Sequence, residues 1–485
     1  MSAQEIANKL WNLCNVLRDD GVTYHQYLNE LTYILFLKLS EVKDFEKHIP
    51  DEYRWRTFVE DTNNLASFER YKNFLVNISS TSTSNAIQEI YTNANTSLRK
   101  PVNFNTLVQS IDDLDWYEEQ DRDVMGDIYE SLLEKNAGEK KSGAGQYFTP
   151  RPLINIMVEL LAPKLGERWN DPACGTFGFM IACNDYLRTK HNEYYALSTK
   201  DRKFQLEEAF SGVELVQDAH RLALMNARLH GLESTIYYSD TLSEFGKKLR
   251  GYDGVLANPP FGTKKGGEKP NRDDLTFISS NKQLNFLQHI YRSLKRDGKA
   301  RAAVVLPDNV LFEDGDGQKI RKDLMNKCEL HTILRLPTGI FYAAGVKTNV
   351  LFFTRGKTET DNTHHVWFYD MRTNMPSFGK RTPFTRKAFH DFIKAYTGGI
   401  TEENLTAYDG SIDHKKRATI QDERWQCISR ADITAKNDSL DIGLIADNSI
   451  VKAEDIGEPI DIAKEALAEI KAITKELNSI IKALG

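Results

Sequence analysis

Two hydrophobic periods divide this chain. Up to about residue 135, apolar residues recur every three or four positions: Ile6, Leu10, Leu13 and Leu17, then Leu28, Leu31, Ile34, Leu35 and Leu39. Asp123 to Lys135 continues the pattern, with Met125, Ile128, Tyr129 and Leu132 on one face. That spacing predicts amphipathic helices packed as a bundle. Beyond the stretch from Ala137 to Gly145, short apolar runs alternate with helical stretches, the pattern of an α/β sheet. Predicted strands are Ala209 to Val213, Ile236 to Tyr238, Val255 to Ala257, Ala302 to Leu306, Thr332 to Leu336 and Asn349 to Phe353. Predicted helices between them include Leu153 to Leu161 and Asp218 to Leu229, the latter with Leu222, Met225 and Leu229 inward. Residues 401–455 are polar and mixed and yield no clear element. The last stretch is apolar at Leu467, Ile470, Ile473, Leu477, Ile480 and Leu484, a helical stripe that Pro459 and Asp461 can start. The expected division is a helical domain over 1–136, an α/β domain over 137–400, an extension over 401–455 and an amphipathic helix over 456–485.

Composition narrows the setting. Of 485 residues, 40% are hydrophobic and 27% charged, as in a soluble globular chain. No apolar stretch approaches the ~20 residues of a membrane helix, and the N-terminus lacks a secretory pattern, so a cytoplasmic protein with no membrane contact is expected. Cys14, Cys174, Cys183, Cys328 and Cys427 show no close C-x-x-C spacing, so free thiols and no metal site are expected. The net charge of -6 is awkward for a chain that would grip DNA alone. Either the substrate is not nucleic acid or a partner supplies the basic surface. The basic runs Lys140-Lys141, Lys264-Lys265 and Lys415-Lys416-Arg417 read most simply as solvated surface.

The candidate chemistry sits where predicted strands end. Asn258-Pro259-Pro260-Phe261 follows Val255-Leu256-Ala257. The prolines fix φ and remove two donors, so the Asn258 side-chain oxygen and the Pro259 carbonyl can accept both hydrogens of an exocyclic amino group. Phe261 offers a face for a base taken out of its stack. A bare tetrad serves equally well as a strand-ending turn; its neighbours tip the reading. Asp171-Pro172-Ala173-Cys174-Gly175-Thr176-Phe177-Gly178 is a glycine turn headed by a carboxylate, which suits a cationic ligand better than a pyrophosphate. Glu214 ends the next strand, placed for ribose hydroxyls, and Asp240 ends the third, placed for an adenine amino group. Upstream, Gly145-Gln146-Tyr147-Phe148-Thr149-Pro150 opens the α/β region: Phe148 can cover an adenine or methionyl face. Thr149 before Pro150 reads both as a helix N-cap and as a carboxylate contact.

Gly-Gln-Tyr-Phe-Thr-Pro, Asp-Pro-Ala-Cys-Gly-Thr and Asn-Pro-Pro-Phe, in that order, resemble the DNA adenine-N6 methyltransferases. With the helical front and Leu306-Pro-Asp-Asn-Val-Leu-Phe312, they resemble more narrowly the modification subunit of type I restriction-modification systems. The resemblance spans roughly residues 1 to 400. It implies a Rossmann-like methyltransferase sheet, S-adenosylmethionine as cofactor and duplex DNA as substrate. It further implies a specificity subunit, a second copy of this chain and a separate translocating nuclease subunit. On that resemblance Asn258, Pro259, Pro260 and Phe261 are catalytic. Residues 145–150, Asp171, Ala173, Cys174, Gly175, Thr176, Glu214 and Asp240 would bind cofactor, and the terminal stripe would dock the specificity subunit. Two departures stand out: Phe177 occupies a position where the family often has a small residue, and Glu167-Arg168-Trp169-Asn170 is polar for a central strand. The alternatives are a stand-alone adenine methyltransferase with a basic recognition domain in 360–455, a protein-glutamine methyltransferase, and a non-catalytic assembly subunit. Pro307-Asp308 with Glu313 and Lys319 lacks nuclease spacing, and no Gly-x-x-x-x-Gly-Lys-Ser/Thr loop occurs.

Overall fold

A computed structural model gives the architecture. It describes residues 3–443 and 445, apart from 14–15, 17–20, 22–23, 43–45, 115–127, 133–148, 263–268, 342–345, 377 and 379–381. Nine strands form one sheet: β1 (Trp169–Asp171), β2 (Phe210–Glu214), β3 (Thr235–Tyr238), β4 (Gly254–Ala257), β5 (Arg301–Pro307), β6 (Cys328–Arg335), β7 (Thr348–Arg355), β8 (His365–Asp370) and β9 (Trp425–Ser429). Their order is β3-β2-β1-β4-β5-β7-β6-β8-β9. β1 to β6 and β8 run the same way, while β7 is antiparallel to β5 and β6, and β9 is antiparallel to β8. Chain order reverses between β1 and β4, and in such sheets that switch point opens a crevice beyond the carboxyl ends of the strands.

Strand alternation builds two cores. Leu256, Ala303, Val305, Val350 and Phe352 face one layer; Val255, Ala257, Ala302, Val304, Leu351 and Phe353 face the other. Covered on both faces, these strands read as continuous apolar runs, which is why periodicity finds them. The six predicted strands form within a few residues of their expected bounds. β8 and β9 were not anticipated. Covered on both sides, the sheet therefore continues past residue 400, and the 401–455 extension contributes its last strand. The exposed His365 at the start of β8, and the mixed Trp425-Gln-Cys-Ile-Ser429, give no clean period.

The polar central strand is held by specific contacts rather than by bulk burial. Trp169 is 1% exposed, and its indole lies over Gly254 of the neighbouring strand, where a Cβ would sit 2.3 Å from the ring. The Arg301 guanidinium lies over the same ring, 5.0 Å from its centre. Arg301 donates to the Leu161 and Ala162 carbonyls at 2.6 and 2.7 Å and to both Glu167 oxygens at 3.0 Å. Asn170 donates to the Ser211 hydroxyl at 3.0 Å. Each polar side chain of that stretch thus makes at least one bond to a neighbour, although the buried Asn170 side-chain oxygen accepts none among the described residues.

The N-terminal region is helical, with Tyr24–Val42, Asn64–Thr81 and Pro101–Asp112 as its longest helices. Its apolar faces merge with one sheet face into a single core. Leu31, Ile34, Leu35, Leu39, Ile128, Tyr129 and Leu132 are buried as their spacing predicted, whereas Leu17 and Met125 lie outside the described residues. Arg221, on helix Gln217–Leu229, fastens the two regions: it donates to the Ile90 and Thr92 carbonyls at 2.7 and 3.0 Å and sits 5.1 Å from the Tyr33 ring.

The described residues of 360–429 are woven into this body. Arg386 pairs with both Glu159 oxygens at 2.7 Å. Arg417, expected as solvated surface with Lys415 and Lys416, is instead fully buried: it donates to the Tyr396 carbonyl at 2.6 Å and stacks 4.4 Å from that ring. After helix Arg430–Ala435 the chain returns to the carboxyl edge, where Leu440 N–H donates to the Leu311 carbonyl at 2.8 Å. The stripe from Leu467 to Leu484, the 137–145 linker and the runs Lys140-Lys141 and Lys264-Lys265 lie outside the described residues. Among the described residues, no helix is long and apolar enough to cross a membrane.

Gly254→Ala should destabilise the protein by about 1–3 kcal/mol, because a methyl group there must displace the Trp169 ring. Urea unfolding checks this; an unchanged midpoint would mean that the indole is not seated on β4.

Candidate active site

Four neighbouring strands, β3, β2, β1 and β4, end on the same edge, and each carries a residue singled out in the sequence. Asp171 closes β1 and Glu214 closes β2. Asp240 follows β3 by two residues, and Asn258 follows β4 directly. The pairing of Asn170 with Val255 and of Glu214 with Tyr238 sets these ends level to within about one turn of chain. The carboxylates and the Asn-Pro-Pro-Phe turn thus share one rim.

The glycine turn hangs between β1 and β2. Asp171 is 1% exposed and accepts from Ala173 N–H at 3.0 Å. Burial, reinforced by the nearby Glu214 charge, pushes its carboxyl up to about 8. Glu214 accepts from Gly175 N–H at 3.0 Å and from Val216 N–H at 2.8 Å, while burial still raises its carboxyl above the usual range. It therefore fixes the turn, a job its place at a strand tip did not signal. Asp240 accepts from Leu242 N–H at 2.8 Å. Two buried acids side by side in a protein of this design fit a cationic ligand, which would let both ionise.

Cys174 and Phe177 point away from the rim. The Cys174 thiol and the Phe177 ring both lie against Gly212 in the core, and burial pushes the thiol well up. Phe177 adopts a left-handed conformation (φ 68°) that swings its ring inward. Its bulk therefore lies in the core rather than in the turn. Asn226 donates to the Thr176 carbonyl at 2.9 Å and braces the turn from behind.

At the other half of the site, the Asn258 amide nitrogen donates to the Thr149 hydroxyl at 3.0 Å. That bond fixes which way the amide faces. Thr149 is not the helix cap its sequence suggested: helix Arg151–Leu161 is flanked by Pro150, with no side-chain cap. Thr149 turns to Asn258 instead, an Asn–Thr contact across 109 positions that local sequence cannot reveal. Pro259 is buried, and Phe261 is half-buried against the core. In the amide orientation that satisfies both groups, Gln283 accepts from Gly262 N–H at 2.7 Å and donates to its carbonyl at 3.2 Å, pinning the residue after Phe261. Gly145, Gln146, Tyr147 and Phe148 lie outside the described residues. Among the described residues no group of His, Cys, Asp and Glu could hold a metal ion.

An α/β sheet of this order with an Asn-Pro-Pro-Phe turn on its carboxyl edge defines an amino-group methyltransferase, and comparison with known proteins specifies which. Residues 120–444 match the N-6 DNA Methylase family and residues 6–121 the HsdM N-terminal domain. The chain is 43% identical, over 519 aligned residues, to the type I restriction enzyme StySPI methylase subunit of Salmonella potsdam and to the EcoKI methylase subunit of Escherichia coli (strain K12). Both alignments cover 100% of this chain and 96% of the relative. The crystal structure of the EcoKI M protein is 38% identical with a TM-score of 0.55, covering 99% of this chain and 96% of that one. A chain from a structure of the type I R-M system, 25% identical, reaches 0.71 over 99% and 98%. The chain therefore belongs to the adenine-specific N-6 DNA methylases and, among them, to the methylase subunits of type I restriction enzymes.

The raised Asp171 carboxyl has a measurable consequence. Folded, it keeps its proton to about pH 8, whereas unfolded it releases it near pH ~4. The folded state holds the extra proton between those values, so this residue makes stability fall as pH rises through that window. Asp171→Asn should remove that slope: relative to wild type, the variant gains stability from pH 5 to pH 8 in denaturant titrations of the ligand-free protein. A stability difference independent of pH would mean that the folded carboxyl is already ionised at pH 5.

Proposed function

We propose that this chain transfers a methyl group from S-adenosylmethionine to N6 of adenine in duplex DNA, with the site chosen by a partner specificity subunit. One observation carries the reading: four consecutive strand ends place three carboxylates beside an Asn-Pro-Pro-Phe turn whose asparagine is oriented by Thr149. Asp171 would pair with the ammonium end of the cofactor, Glu214 with its ribose and Asp240 with its adenine. The amides of Ala173, Gly175 and Thr176 would line the turn, with Cys174 contributing backbone only. When bound, the cofactor supplies an electrophilic methyl group on a sulfonium.

The chain's own groups prepare the acceptor. With its nitrogen donating to Thr149, Asn258 would offer its carbonyl oxygen to an incoming amino group. That oxygen and the Pro259 carbonyl accept the two N–H groups, which draws the nitrogen lone pair out of ring conjugation and toward the methyl carbon. With the cofactor bound, the nitrogen held by Asn258 and Pro259 would take the methyl group, the thioether would leave with the C–S electron pair, and one N–H proton would pass to solvent. Phe261 supports the extruded base by stacking. No nucleophile of the chain is needed, since Cys174 is buried and protonated well above neutral pH.

The acidic balance fits a subunit that delegates DNA grip. Described basic residues of 360–455 such as Arg386 and Arg417 bond inside the fold, which disfavours a self-contained recognition domain there. A specificity subunit would then read the sequence, with a second copy of this chain completing the modification complex and a nuclease subunit joining for restriction.

Asn258→Ala, assayed in the complex with its specificity subunit, should slow methyl transfer by about a hundredfold or more, the scale of one preorganised polar contact at a reacting centre. S-adenosylmethionine affinity should stay within about twofold, since Asn258 serves the acceptor side alone. Phe261→Ala should raise KM for DNA roughly tenfold, as expected for one lost base-stacking contact, with Phe261→Trp restoring it. Near wild-type transfer by Asn258→Ala would remove the asparagine from the mechanism.

A further inference from the structure

Arg272 lies downstream of Asn258, in the segment that leaves the acceptor turn, and is 2% exposed. A guanidinium buried to this degree needs its donors engaged. Its Nε and Nη2 pair with Asp274 at 2.8 and 2.7 Å. Burial alone would raise the Asp274 carboxyl, but Arg272 holds it below the usual range. Nη1 donates to the Thr241 carbonyl at 2.8 Å and to His289 Nδ1 at 3.1 Å. Burial and the Arg272 charge push His289 down to about 3, so its ring is neutral and Nδ1 accepts.

Thr241 is gripped at both ends. Its carbonyl takes the Arg272 bond, and its hydroxyl donates to the Pro172 carbonyl at 2.6 Å. Pro172 stands between Asp171 and Ala173, and Thr241 directly follows Asp240. The space left for the contact is tight: a Cβ on Gly246 would sit 1.9 Å from the Thr241 oxygen and 2.5 Å from Arg272 Nη1. His289 in turn belongs to helix Lys282–Ser293, whose first turn carries Gln283 against Gly262. A continuous series of contacts thus runs from the β1 turn through Thr241, Arg272 and His289 to the residue after Phe261.

We infer that Arg272 is a positioning residue for the cofactor pocket: by fixing the Thr241 carbonyl it sets the distance between the Asp171-Pro172 turn and the Asp240 segment, and it ties that distance to the helix behind the acceptor turn. This rests on the proposed roles of Asp171 and Asp240. A residue that only braced its loop would lower stability and the amount of active enzyme, leaving cofactor affinity unmoved.

The test is calorimetric titration of the full-length chain with S-adenosylmethionine, alongside methylation kinetics in the assembled complex. Arg272→Lys keeps the charge but cannot fork between Asp274 and Thr241. It should weaken cofactor binding about tenfold, the scale of one charge-assisted hydrogen bond, with kcat at saturating cofactor within about twofold. Thr241→Val should weaken binding in the same sense, and Thr241→Ser, which keeps the hydroxyl, should restore it. Combined, Arg272→Lys and Thr241→Val should lose less than the product of their single effects, because both act on one link. Wild-type affinity in Arg272→Lys, with only kcat or melting temperature reduced, overturns the inference. A wild-type chain that does not bind S-adenosylmethionine at all overturns the functional reading beneath it.

Discussion

The seat of Trp169 on Gly254 governs the site. β1 is three residues long, polar, and central, so it lacks the apolar run that holds its neighbours. An indole packed on β4 and roofed by the Arg301 guanidinium replaces that run with one large specific contact. β1 carries Asp171 and the glycine turn, and β4 carries Asn258. The same contact therefore sets the spacing between the two halves of the site. A bulkier residue at position 254 would move one half relative to the other before it touched any reacting group.

Electrostatics follows from where that seat places the acids. Asp171 and Glu214 stand at adjacent strand ends, both poorly solvated, and the Glu214 charge further disfavours ionisation of Asp171. Backbone amides from the turn relieve Glu214 more than Asp171, which explains why Asp171 keeps its proton to about pH 8. On the proposed reading, a cationic cofactor resolves this tension, and the crevice is tuned for a positive ligand rather than for phosphate. An acidic chain of this kind is consistent with a methylase subunit that leaves sequence reading to another polypeptide.

Much of this was legible in the chain. β4, β5 and β7 are buried on both faces, so their apolar runs stand out, and the strand-end residues Asp171, Glu214, Asp240 and Asn258 could be picked before the fold was known. What escaped local reading was everything set by distant contacts. Polar β1 depends on Gly254 and Arg301, and β8 and β9 mix polar and aromatic residues without a period. Thr149 looked like a cap because the residue that claims it, Asn258, lies far along the chain. Phe177 stood out as a departure from the family's small residue, and a sequence does not show that its φ is positive and its ring buried. Arg417 sat in a basic run, yet Tyr396 and Thr332 take its donors in the interior.

The most direct test of the central claim is the chemical identity of the product. The chain, its specificity subunit, duplex DNA and S-adenosylmethionine carrying a labelled methyl group would be incubated together, and the DNA digested to nucleosides for mass spectrometry. The account predicts label in N6-methyladenine, with none when the specificity subunit is left out. Label in methylated cytosine or in protein, or no transfer with all components present, would contradict it.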